Sequence, residues 1–157
     1  MRIEELDAVC RQAAHDLLAR ESRPLPPSVV LPLPEATRVT TFPDFPGDDP
    51  GRFDLLARYA AEVVRPANAP AYGFVAEGEL AGETPVEVAV VVYGARGHRP
   101  AITAAPFEGD VLGDFAAAEE LDPSAFPFLS PLQHAVDEAA APDALGGQGS
   151  GLPIVRP

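Results

Sequence analysis

The run Val88-Ala89-Val90-Val91-Val92 constrains this chain more than any other stretch. It is too short for a buried helix, and valine's branching at Cβ favours a strand. A strand with one wet face alternates apolar and polar residues, whereas a continuous apolar run has both faces covered. The spacing therefore predicts that 86–93 lies at or near the centre of a sheet with a layer on each side. The flanking runs "AYGFVAEGEL" and "RPAITAAPFE" are joined to it by "AGET" and "GARGH", each with the glycine a hairpin turn uses. Together they read as a three-stranded antiparallel meander over 71–107. Alanines between 101 and 106 leave room for a helix or another backbone to approach.

The covering layers are visible as helical periodicity. Over residues 2–20, Ile3, Leu6, Val9, Cys10, Ala13 and Leu17 recur on one face with Leu18 at its edge. Glu4, Glu5 and Asp7 suit the positive end of that helix and Arg20 the negative end. A second helix is expected over 50–65, with Asp49 as N-cap and Pro50 first in the helix. Its apolar side would carry Phe53, Leu56, Ala57, Ala60, Val63 and Val64. A third, over 131–140, is expected to be capped by Ser130 and opened by Pro131 after an aromatic knuckle at Phe126, Phe128 and Leu129. Two short β-prone runs precede the second helix. Pro32 marks the first as an edge strand or extended arm, since proline cannot donate to a ladder; the second is Thr37–Phe42. If 37–42 runs parallel to 71–79, the helix between them makes a crossover.

The expected fold is thus α+β: a mostly antiparallel sheet of four to five strands packed by three helices. Residues 1–140 form one globular domain, and the Gly/Pro-rich 141–157 a flexible tail. Its "GGQGSGL" does not satisfy the dinucleotide-binding spacing G-x-G-x-x-G.

Charge separates the two halves. The formal net charge is −13, with every one of the 11 basic residues an arginine. Residues 1–65 hold 11 acids and 8 arginines, whereas 66–157 hold 13 acids and 3 arginines. A surface of that sign repels phosphodiester backbones, so no nucleic-acid partner is expected. A basic protein is the partner it would attract. The absence of lysine excludes the phosphate-loop lysine, the Schiff base and pyridoxal phosphate chemistry. No catalytic residues, cofactor or metal site are assigned: His15, His98 and His134 are widely spaced, and Cys10 stands alone on an apolar stripe as a buried thiol. No membrane partner is expected, because no apolar stretch approaches the ~20 residues of a span. With acids at the start and one cysteine, the expected address is cytoplasmic.

One basic cluster stands out in the acidic half, the turn "YGARGHR" at 93–99. Tyr93, Arg96, His98 and Arg99, with Arg58 from the second helix, are the candidate ligand-binding or interface residues. Three uses are open. The arginines and glycine N–H groups could hold an anion such as a phosphate or nucleotide. The patch could meet the acidic segment of a second copy. Or the turn is structural, with His98 and Arg99 paired to acids such as Glu77 or Glu87. The expected function is a non-enzymatic accessory module acting by protein contact, as a homodimer and towards a basic partner. A phosphate or nucleotide sensor is the alternative, and a small hydrolase with a site assembled from distant segments the third.

Overall fold

The computed structural model describes residues 2–21, 23–122 and 124–140. The proposed tail at 141–157 lies outside them. Chain order is α1 (Ile3–Arg20), β1 (Ser28–Pro32), β2 (Thr37–Thr41), α2 (Asp49–Tyr59) running on into a π-helical turn (Ala60–Val64), then β3 (Ala71–Leu80), β4 (Val86–Ala95) and β5 (His98–Glu108). Two-residue strands β6 (Val111–Leu112) and β7 (Glu119–Glu120) follow, then a 3₁₀ turn (Pro127–Leu129) and α3 (Ser130–Asp137). The class is α+β. The sheet is antiparallel in order β2-β1-β3-β4-β5-β6, with β7 also on β5, so it holds seven strands where four to five were expected. The extra ones are the two-residue pairings on the outer edge of β5, too short to leave a periodicity in the sequence.

β4 lies between β3 and β5 as its apolar run requires, and its two faces feed two separate cores. Ala89, Val91 and Tyr93 join Val30, Ala71 and Val75 under α1, against Leu6, Cys10, Ala13, Ala14 and Leu17. Val92 joins Val29, Leu31, Tyr72 and Phe74 on the opposite face, under α2, the π turn and α3. α1 comes down closely on β3 because Gly73 has no side chain: a methyl there would land on Cys10 Sγ and lie 3.4 Å from Val30 Cβ.

Three local expectations are corrected. β1 is an inner strand, buried along its whole length, not an edge. Phe42 N–H donates to the Pro27 carbonyl at 2.8 Å and Leu33 N–H to the Ala36 carbonyl at 3.1 Å, bracketing the β1–β2 ladder. Antiparallel alternation then turns the N of Pro32 away from β2, towards β3. Pairing with β3 covers only Ser28–Val30 and has ended there, so no bond is lost. Second, α2 begins one residue early, with Asp48 at the cap position. Its Phe53 is 44% exposed, while Tyr59 is buried and its hydroxyl shares a 3.0 Å hydrogen bond with that of Thr40. Third, Ser130 is the first residue of α3 rather than its cap, because the 3₁₀ turn leads straight into the helix. As for the crossover, β2 and β3 are each antiparallel to β1 and so run the same way, with β1 between them.

Candidate functional site

The turn at 93–99 is built from both ends of the fold. Gly97 takes φ +74°, a region open to glycine, and closes the hairpin between Ala95 and His98. Its N–H donates to Asp137 Oδ1 at 2.9 Å, and Gln133 Nε2 donates to Asp137 Oδ1 and to the Ala95 carbonyl, both at 3.0 Å. Arg96 N–H donates to the Pro70 carbonyl at 2.8 Å. The acceptor seated on the turn is thus the Asp137 carboxyl of α3. Gly94 makes the clamp possible: a methyl there would collide with Gln133 Oε1 and lie 2.7 Å from the Tyr72 ring.

The candidate residues are distributed around this clamp. Tyr93 points under α1, where its hydroxyl donates to Asp7 Oδ2 at 2.7 Å; Asp7 also pairs with Arg11 on the next turn of the helix. Burial first, then that carboxylate, raise the Tyr93 phenol well above its ordinary range. Arg96 and His98 border a small groove of about 150 Å³ beside Arg2, Ile3 and Leu6 at the start of α1. Arg99 turns to the opposite side, where it pairs with Glu120 at 2.8 Å. Arg58 is exposed on α2 and makes no ion pair among the described residues. The structure therefore brings Arg96 and His98 together and sets Tyr93, Arg99 and Arg58 apart.

Glu77 and Glu87, the acids expected near this turn, belong to Arg23 at the other end of the meander. Arg23 Nη2 lies 2.9 Å from Glu77 Oε1 and 2.8 Å from Glu87 Oε1, its Nη1 reaches the Gly109 carbonyl at 2.7 Å, and its plane stacks 3.8 Å from the Phe107 ring centre. This clasp ties the α1–β1 connection to the sheet. Its residues carry no spacing signal, since they lie 54 and 64 positions apart in the chain.

Arg99 borders a groove of about 460 Å³ between α3 and the β5–β7 margin. Leu121, Ala125, Phe126 and Pro100 line its apolar side; Glu120, Ser130, Gln133 and His134 supply polar groups. Phe126 shapes it by adopting φ +51°, a left-handed backbone that is costly for an aromatic residue and carries Phe128 into the core. Ser130 and His134 sit one helical turn apart, but no hydrogen bond joins them among the described residues. The groove opens onto the exposed acids Glu119, Glu120 and Asp122, while Glu108, Asp110 and Asp114 are exposed further along the outer edge of β5 as the chain wraps it. Asp122 is held below the usual carboxylate range by the Ser124 N–H and hydroxyl. These acids are legible in the sequence as a block; the groove beside them depends on the fold.

Among the described residues no group of three potential metal ligands comes together, and no helix is long and apolar enough to cross a membrane. No family model matches the chain, and neither the curated proteins nor the solved structures yielded a match.

Proposed function

We propose that this protein is a non-enzymatic, cytoplasmic accessory module that works by protein contact, receiving a basic segment of a partner along the β5–β7 margin. The observation that carries the reading is the pairing of the 460 Å³ groove with the acidic margin at its mouth. Leu121 and Phe126 offer an apolar or aromatic side chain a place to bury, at about 25 cal/mol per Å² removed from water. Glu119, Glu120 and Asp122 flank it with carboxylates, of which only Glu120 is already paired with an arginine among the described residues. A partner strand or helix with one large apolar residue between arginines or lysines fits that pattern, and net charge −13 would steer it in.

The competing use of the turn as a phosphate or nucleotide sensor would rest on the side chains of Arg96 and His98 alone. Gly97 N–H is engaged by Asp137 and Arg99 by Glu120.

The test is binding of an arginine-rich peptide with a central phenylalanine, followed by fluorescence anisotropy across a salt series. Affinity should fall steeply with salt, drop at least tenfold in the variant E119Q/D122N, and fall again when the peptide phenylalanine becomes alanine. Binding indifferent to salt and to those carboxylates would overturn the proposal.

A further inference from the structure

The two edges of the sheet are treated in opposite ways. The outer edge of β5 is wrapped by the following segment: Gly113 N–H donates to the Pro106 carbonyl at 2.7 Å, Ala116 N–H to Ala104 at 2.9 Å, and Leu121 N–H to Pro100 at 2.9 Å. The outer edge of β2 carries no partner among the described residues. An open edge is a template for another strand, and proteins that must remain single usually blunt it. β2 reads Thr-Arg-Val-Thr-Thr, with strong β-formers and no proline, glycine or acid.

Ladder parity says which groups face outwards. Val29–Thr40 and Leu31–Arg38 are the hydrogen-bonded pairs with β1, counted from the bonds at Phe42–Pro27 and Leu33–Ala36. The N–H and C=O groups of Thr37, Val39 and Thr41 therefore point away from the sheet. They form a symmetric set about Val39. Val39 is also the outward valine, 38% exposed, beside a groove of about 390 Å³ between β2 and α1 whose apolar lining includes Val9, Ala13 and Leu17.

We infer that β2 is a self-association edge: a second copy of this chain docks its own β2 antiparallel to the first, with the two-fold axis at Val39. In that register Val39 faces Val39 of the copy, and Thr37 faces Thr41, each pair exchanging both its bonds. Arg38 then lies opposite the copy's Thr40 rather than the copy's Arg38. The second Val39 falls on the same side of the joined sheet as the first, at the mouth of the α1 groove.

Charge supports a second copy here rather than elsewhere. A chain of −13 repels itself, most strongly through residues 66–157 with 13 acids and 3 arginines. The β2 edge and its groove carry Arg38, Arg20 and Asp16 instead, so this is a face where two copies can approach. The basic partner proposed above needs the opposite margin, and the two contacts can coexist.

The experiment is sedimentation velocity on the full chain over a concentration series, at low and at moderate salt. Wild type should show a monomer–dimer equilibrium that tightens with salt, as screening relieves repulsion between like-charged copies. Binding of the arginine-rich peptide should weaken under the same change, so failure of one reading is distinguishable from failure of the other. V39K and V39E should each sediment as monomers, because like charges directly opposite one another are destabilising. An equimolar mixture of the two should restore dimer, which also shows that both variants are folded. A wild type that remains monomeric at all concentrations would overturn the inference. So would a V39K that dimerises like wild type, or a mixture that stays monomeric.

Discussion

Replacing Gly73 by alanine would test how closely α1 is seated on the sheet. The new methyl would land on Cys10 Sγ, itself fully buried on the inner face of α1 and free to rotate about only one bond. Overpacking of this kind costs about 1–3 kcal/mol. Against it stands the loss of unfolded-chain entropy when glycine becomes alanine, which stabilises by about 0.4–1 kcal/mol. G73A should therefore destabilise by a net ~1–2 kcal/mol. Cys10→Ala alone leaves a void the size of one sulfur and should cost about 1–2 kcal/mol. The double variant puts the methyl introduced at position 73 into the space vacated by Sγ. It keeps the entropic gain and relieves the clash, so it should come within ~0.5 kcal/mol of wild type, a coupling of ~2–3 kcal/mol. Urea unfolding at constant pH measures all four proteins. With a slope of about 1–3 kcal/mol per molar, typical of small domains, the coupling would appear as a midpoint shift on the order of 1 M. Additive losses, with the double variant the least stable of the four, would show that Gly73 and Cys10 do not share this space.

Asp137→Ala should loosen the β4–β5 hairpin by removing the acceptor shared by Gly97 N–H and Gln133. Amide exchange at Gly97 should then speed up while Val91 and Val92 stay protected. All three tyrosines have phenols raised above the ordinary range, chiefly by burial. Phenolate absorbance at 295 nm should therefore stay flat past about pH 10, where free tyrosine ionises. The sign follows from linkage: the unfolded chain loses these protons first, so stability is present below about pH 10 and falls as pH rises above it. Absorbance rising around pH 10 in the folded protein would contradict the burial. Cys10, with its thiol pushed up to about 12 by burial and then by Asp7, should resist a thiol reagent at neutral pH and react at the rate of global unfolding. Rapid native labelling would mean that α1 detaches on its own.

The sequence by itself determined what depends on neighbours along the chain. The unbroken apolar run required a two-faced central strand, and β4 has α1 on one face and α2 with α3 on the other. Helical spacing located α1, and the glycines located both hairpins. The charge imbalance and the lack of lysine were also readable, because they are sums over residues that need no geometry. Tertiary structure alone decided which distant groups meet. Pro32 marked an edge by local rule, yet β1 is internal, because the length of its pairing with β3 is set by strand register and not by composition. Arg99 found Glu120 rather than Glu77 or Glu87, since the register of the meander puts those acids towards its far end, beside Arg23. The acceptor of the Gly97 N–H came from α3, forty positions along the chain. The open edge of β2 became visible only once every other strand had been placed. Periodicity is encoded one turn or one pleat at a time, whereas contact between segments depends on how the layers close.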